Sequence, residues 1–390
     1  MAVVTKGRGM TGEVAVWTGS ARWQYALSAP RSVLEVLACV LPPLIAPGLI
    51  VAYLVGLYNP HPKTVDGMYF PDGGFLFDLH VMWQAGHDVV TGHSPYPFVY
   101  PPPAAFLMAP FGALPWSVAV VAFALSAVAA LILALRLLGV RDWRCHALAL
   151  GALPMASSIT IGTLSPFLAL GAAAAWRYRH RRWVVAAAIV GVVVTKIFLW
   201  PLVIWLLATR RYRTAATTVF LGIGTVLVSW GILGFDGLRD YPHRLSRVAG
   251  LEQDKSYSPF ALFRLLGLSP GSTRVAVLAL TVAGLVAVVA LARRKDSDRG
   301  SFLAALGVGL LASPIVWMHY LVLLVVPIAL YRPRFGAAWF LPLAFWGLPG
   351  QENHGSARNI ALMMAVTAIT LVLAMRPERE RLPAPVLTSS

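Results

Sequence analysis

The 390 residues are 58% hydrophobic and 12% charged, with a formal net charge of +16 and a mean hydropathy of +0.71. That mixture excludes an ordinary soluble globular protein. The positive charge falls in short clusters between apolar runs rather than on one amphipathic face, which argues against a nucleic-acid-binding surface and for topology anchors. The composition predicts an all-α, polytopic membrane protein. Cys39 and Cys145 are far apart in apolar surroundings, so neither a disulfide framework nor a cysteine-rich metal site is indicated.

In chain order, residues 1–32 are polar and basic, and the first long apolar run begins near Val33. It starts too late and runs too long for a signal peptide, so 33–57 is predicted as a retained transmembrane helix. Basic clusters follow at Arg136, Arg141 and Arg144, at 177–182, 210–213 and 293–299, at Arg332 and Arg334, and at 376–381. If all are cytoplasmic, an even number of crossings must separate successive clusters. The apolar stretches are broken where this parity requires it, at Pro154 with "SSITIGT", at "TKIFLWP", at "SPIVWMHY" and at "GQENHGSAR". The prediction is a bundle of about 12 crossings over 33–376 with both termini cytoplasmic, 1–32 and 377–390 being the cytoplasmic ends. Half-length segments near Pro154, Lys196 and Ser313 are short helices or re-entrant hairpins. Either way the polar residues at these breaks lie on the outer side.

Two long loops, 58–116 and 236–274, face outward in this scheme. The first carries Asp66, Asp72, Asp78 and Asp88 against the single Lys63. Within it "DLHVMWQAGHDVV" (78–90) places Leu79, Met82, Trp83, Gly86 and Val90 at helical spacing, which predicts an amphipathic helix on the membrane surface. Asp78 stands at its start, as an N-cap, a catalytic carboxylate or both. Gly92 should stop the helix, and "SPYPFVYPPP" must run extended, because each proline restricts itself and its predecessor. With Tyr96 and Tyr100 it walls a cleft or leads the chain into an interfacial helix near 103–114. Lys196, between two apolar runs, is expensive in a membrane and marks a candidate phosphate contact unless it snorkels to the surface. His319, beside Trp317 and Tyr320, could hydrogen-bond a sugar hydroxyl or position a base. The second loop mixes Arg239, Arg244, Arg247, Lys255 and Arg264 with four acidic residues.

"DLHVMWQAGHDVVTGHSPY", "YPPPAAFLMAPFGALP", "TKIFLWPLVIWLLATRRYR", "DKSYSPFALFRLLG" and "SPIVWMHYLVLLVVPIAL" occur in that order over about 70–350. This order resembles the actinobacterial GT-C glycosyltransferases that include polyprenyl-phosphate-mannose-dependent mannosyltransferases of phosphatidylinositol mannoside synthesis and related arabinofuranosyltransferases. The resemblance implies a polyprenyl-phosphate-sugar donor and a glycolipid or glycan acceptor, handled by a multi-pass plasma-membrane enzyme whose active site faces outside. It places the general base at Asp78. It puts donor or sugar contacts at Lys196 and His319, with His80, Tyr96, Tyr100, Ser256, Trp317 and Tyr320 as further substrate-binding candidates.

A polyprenyl phosphate leaves without a proton, so one carboxylate suffices, and in-line attack on a β-linked donor gives an α-linked product. Neither outer loop holds a paired DxD, the one such pair, Asp296 and Asp298, lying in the basic cluster at 293–299, and no His/Cys ligand spacing is present, so no metal or other cofactor is expected, a divalent cation between Asp78 and a donor phosphate being the one route left open. The competing class is a transporter or flippase of lipid-linked sugars, which would favour two related halves; no internal repeat is visible.

Overall fold

A computed structural model describes residues 76–294 and 298–375, with short stretches at 33–38, 40–41, 63–65 and 68–70. Most of the predicted first span, Cys39 and both chain ends lie outside the described residues. Apart from an antiparallel hairpin pairing Lys63–Val65 with Met68–Phe70, which the sequence did not lead us to expect, the regular structure is helical.

Two short helices, α1 (Phe77–Val90) and α2 (Pro102–Gly112), pack tightly on one another. α1 ends as expected at Gly92. There the Gly92 N–H reaches the Val89 carbonyl at 3.2 Å and the His93 N–H the Asp88 carbonyl at 2.7 Å, a Schellman closure with a left-handed glycine. Residues 93–101 are irregular, and Pro102 and Pro103 open α2, where a missing N–H does no harm. Gly86 lies against the Met108 carbonyl and Gly112 against the backbone of Gly86 and His87, so the two helices meet where no Cβ would fit. The apolar stripe Leu79, Met82, Ala85 and Gly86 is therefore covered by protein. Of the other two residues expected on a membrane-facing stripe, Trp83 is half-buried and hydrogen-bonds the Leu114 carbonyl at 3.1 Å, and Val90 is exposed.

The chain continues through α3 (Trp116–Leu137), α4 (Trp143–Leu150), α5 (Leu153–Ile161), α6 (Ser165–Arg177) and α7 (Arg182–Thr195). After a short 3₁₀ turn at Ile197–Leu199 come α8 (Pro201–Ala208), α9 (Tyr212–Ile232), α10 (Tyr241–Glu252), α11 (Pro259–Leu265), α12 (Pro270–Ala292) and α13 (Asp298–Ala312). A 3₁₀ stretch at Met318–Leu324, α14 (Val325–Tyr331), a second at Ala337–Gly347 and α15 (Ala357–Met375) complete it. Among the described residues four helices, α3, α9, α12 and α15, are long and apolar enough to cross a bilayer. The other apolar pieces are shorter, several opened by a proline at the first turn as in α5, α6 and α8.

α13 is buried on every side from Gly300 to Leu310 and forms the centre of the bundle. α12, by contrast, exposes Val275, Leu278, Val282 and Val286, while α9 exposes Phe220, Ile223, Leu227 and Val228. Contiguous exposed apolar faces of this kind suit lipid rather than water.

Among the described residues, members of the predicted basic clusters meet at one end. Asp298 accepts from Arg211 at 2.7 and 2.9 Å and from the Trp205 indole at 2.9 Å, and pairs with Arg179 at 3.2 Å. Arg299 reaches the Leu330 carbonyl at 3.3 Å, and Arg144 pairs with Glu35 at 3.1 Å while lying over Phe335. From Arg182 at this basic end α7 runs about 20 Å to Lys196, and α8 leads back to Arg211.

Candidate active site

α5 fixes the start of α1. Leu76, in the left-handed region at φ 54°, gives its N–H to the Thr160 carbonyl at 2.8 Å. Gly162, at φ 77°, leaves no space for a side chain beside Leu79. Position 76 is the cap, without a side-chain hydrogen bond, and Asp78 sits in the first turn. Asp78 is thus not the N-cap. Its half-buried carboxylate accepts no hydrogen bond from a described residue, and the helix N-terminus favours its charge only partly. Burial raises its pKa above the usual aspartate range, and the Lys196 charge pulls the other way.

Lys196 closes α7 in extended conformation and is only 6% exposed, so it does not snorkel to the surface. Its Nζ donates to the Tyr320 hydroxyl at 3.1 Å and lies 4.4 Å from the Tyr320 ring centre and 5.2 Å from that of Tyr100. Tyr320 stacks on Phe198 at 4.8 Å. Burial pushes the Tyr100 phenol up, the Asp78 carboxylate adds to this, and Lys196 opposes it, so Tyr100 stays protonated. His319, 2% exposed, meets Tyr320 edge-on and places Nδ1 3.1 Å from Oε1 of Gln351. The structure therefore brings Asp78, Tyr100, Lys196, His319 and Tyr320 together from four separate segments. Two cation-stabilising rings and an unused carboxylate flank one buried ammonium, an arrangement able to bind an anion and accept a proton side by side.

Other candidates sit elsewhere. His80 packs among Trp83 and Trp116, edge-on to the latter at 5.0 Å. Tyr96 stacks on Trp230 at 4.8 Å and meets Tyr241 edge-on, tying the proline segment to the second loop. Burial raises the Tyr96 phenol pKa, with Tyr241 adding and Arg244 opposing. The Ser256 hydroxyl is fully buried and bonds the Gln253 carbonyl at 2.8 Å and Ser258 at 2.9 Å, joining the second loop internally. Trp317 is half-buried against the core and accepts the Tyr320 N–H on its carbonyl at 3.0 Å. Among the described residues no three His, Cys, Asp or Glu side chains cluster as metal ligands would.

An apolar groove of about 410 Å³ runs between α2, α6 and α7, lined by Leu107, Phe111, Phe167, Gly171 and Gly191. Its lining includes Thr195, the last residue of α7 and the one before Lys196.

A buried cation and a carboxylate near such a groove suit a lipid phosphate carrying a group to be transferred. The model of glycosyltransferase family 87 matches residues 98–316, more than half the chain. The chain belongs to glycosyltransferase family 87. It is a glycosyltransferase. It is 28% identical over 322 residues, 73% of this chain and 70% of the relative, to the polyprenol-phosphate-mannose-dependent alpha-(1-2)-phosphatidylinositol pentamannoside mannosyltransferase of Mycobacterium tuberculosis. The protein of the same name in Mycolicibacterium smegmatis is 27% identical over 312 residues, 72% of this chain and 71% of that one. No solved structure matches.

The family 87 match, residues 98–316, spans Tyr100, Lys196 and the groove, while Asp78 lies well before its start and His319 shortly after its end. Sequence reasoning missed Gln351 and Asn353. Both sit in "GQENHGSAR", legible as a polar break opposite the basic clusters, but nothing in one sequence ties that break to His319. Asn353 is fully buried and donates to the carbonyls of Asp254 at 2.8 Å and Ser256 at 2.6 Å.

Proposed function

We propose that this glycosyltransferase moves a mannosyl residue from a polyprenyl-phosphate-mannose donor to a cell-envelope glycolipid or glycan acceptor, at the outer face of the plasma membrane, with inversion to an α-linkage. The observation that carries the reading is the nearness of groove and ammonium: Thr195 lines the apolar groove, and the next residue is a buried lysine within reach of Asp78's charge. The names of the mycobacterial relatives support mannose over arabinofuranose.

The prenyl chain lies along α2 and α7 and delivers its phosphate to Lys196, with the Tyr320 hydroxyl alongside. Asp78 takes the proton of the acceptor hydroxyl as that oxygen attacks the anomeric carbon. The phosphate departs from the opposite side, its charge met by Lys196. The bond to the acceptor oxygen forms as the bond to phosphate breaks, and the freed polyprenyl phosphate remains in the membrane. The site standing at the end of the bundle away from the described arginine clusters supports the outer-face reading.

Purified protein in liposomes with radiolabelled polyprenyl-phosphate-mannose and a phosphatidylinositol mannoside acceptor tests the reading. Label should appear on the acceptor in an α-linkage, and only when the acceptor is present on the side opposite the arginine clusters. Movement of donor between leaflets without transfer would identify a carrier instead.

A further inference from the structure

The Nε2 of His319 is buried without a hydrogen-bond partner among the described residues. A buried acceptor left unmet is destabilising and calls for a partner, which beside a binding site a bound substrate can supply. Its other nitrogen faces Oε1 of Gln351 at 3.1 Å. An amide oxygen only accepts, so Nδ1 must carry the proton, and a neutral imidazole then presents a bare lone pair at Nε2. The ring adjoins Tyr320, whose hydroxyl holds Lys196, so the imidazole and the ammonium flank the same tyrosine.

Gln351 is itself held in place. The Tyr257 hydroxyl lies 3.1 Å from the carbonyl of Gly350 and 2.9 Å from that of Glu352, the residues on either side of it. Asn353 clamps the same segment to Asp254 and Ser256, and the Tyr257 N–H bonds the Val316 carbonyl at 2.8 Å, just ahead of the His319 stretch. The "DKSYS" segment of the second loop thus joins the Gln351 segment to the His319 segment.

We propose that Gln351 is a positioning residue that locks His319 in the Nδ1–H tautomer, so that Nε2 accepts a hydrogen bond from one hydroxyl of the sugar bound between Asp78 and Lys196. The proposal rests on the glycosyl transfer proposed above. It makes the pair a specificity device, because a sugar without that hydroxyl leaves Nε2 buried and unpaired.

Nitrogen NMR of histidine-labelled protein in lipid, with His319 assigned by its loss in His319→Ala, should show Nδ1 protonated and Nε2 bare. Gln351→Leu should mix the tautomers and lower kcat/KM for polyprenyl-phosphate-mannose about tenfold, the scale of one hydrogen bond. Gln351→Glu keeps an acceptor oxygen and should restore most of the loss. In a His319→Ala background Gln351→Leu should have no further effect, and one monodeoxy mannosyl donor should be discriminated against by wild type but not by His319→Ala. A proton on Nε2 in wild type, or additive losses in the double variant, overturns the proposal. A wild type inactive with polyprenyl-phosphate-mannose defeats the donor reading, and the tautomer spectrum then decides the Gln351 proposal by itself.

Discussion

Asp78 and Asp298 are the same residue in opposite settings at opposite ends of the bundle. Asp298 is answered: two arginines and an indole point at it. Burial works against its ionisation, but the Arg211 hydrogen bonds and charge outweigh that and hold its pKa below the usual value. Asp78 is unanswered, and burial holds its pKa up against the pull of Lys196. A carboxylate whose partners saturate it is built for stability, whereas one kept half-buried and unbonded retains its basicity for a substrate. The basic end is thus a fastening and the far end a workplace.

Replacing the two aspartates breaks this comparison most directly. Asp78→Asn should reduce turnover by about 10²- to 10⁴-fold, the usual worth of a general base, while donor binding persists. Because its folded pKa is raised, ionised Asp78 opposes folding at neutral pH, and the asparagine variant should melt no earlier than wild type. Wild-type-like turnover would remove Asp78 from the base role, and a fall in melting temperature would make it structural.

Lys196→Met should raise the KM for donor roughly 10- to 100-fold, the equivalent of a charge-assisted hydrogen bond of about 1.5–3 kcal/mol. It should also move the pH profile. Asp78 must be deprotonated to act, so activity rises with pH through its raised pKa; without the opposing pull of Lys196 that acid limb moves higher still. An acid limb that stays in place would separate the two residues.

Much of this division was readable in the sequence. The parity of arginine clusters put Asp78, Lys196 and His319 at one end, and Gly92 and the prolines set the limits of α1 and α2, because these depend on charge and on local backbone chemistry. The number of full-length spans was not readable, since helices broken at Lys196 or Pro201 are apolar on both sides of the break and composition does not register their length. Nor was the cover over α1. Its stripe suited a membrane surface, and only the fit of Gly86 and Gly112 against a neighbouring backbone reveals that α2 covers it. Gln351 was invisible for a related reason, as its meaning comes from a contact 32 residues away.

At the basic end, Asp298→Asn should do the reverse of Asp78→Asn. It leaves Arg179 and Arg211 facing each other and should lower stability by about 1–3 kcal/mol, measured as an earlier melting transition, with kcat/KM of the folded enzyme unchanged. The sign with pH follows from its depressed pKa: the contribution is fully present above the unfolded aspartate value and fades as pH falls through the folded one, so wild type and variant should converge in acid. A loss of turnover in the folded variant would mean that the basic end reaches the chemistry.

The smallest expected effect tests where the workplace receives its donor. A Cβ added at Gly191 meets no atom within 4 Å, so Gly191→Leu can grow into the groove from an open position. Exchanging glycine for leucine inside a helix also favours folding, by about 1 kcal/mol, so lost activity cannot be blamed on a damaged α7. With a long-chain donor the KM should rise roughly fourfold for each buried methylene displaced, at about 0.8 kcal/mol apiece, with kcat little changed. With a donor whose prenyl chain is too short to reach Gly191, wild type and variant should be alike, because the phosphate still finds Lys196. Equal effects on long and short donors would move the prenyl chain out of this groove and leave the Asp78 and Lys196 assignments standing.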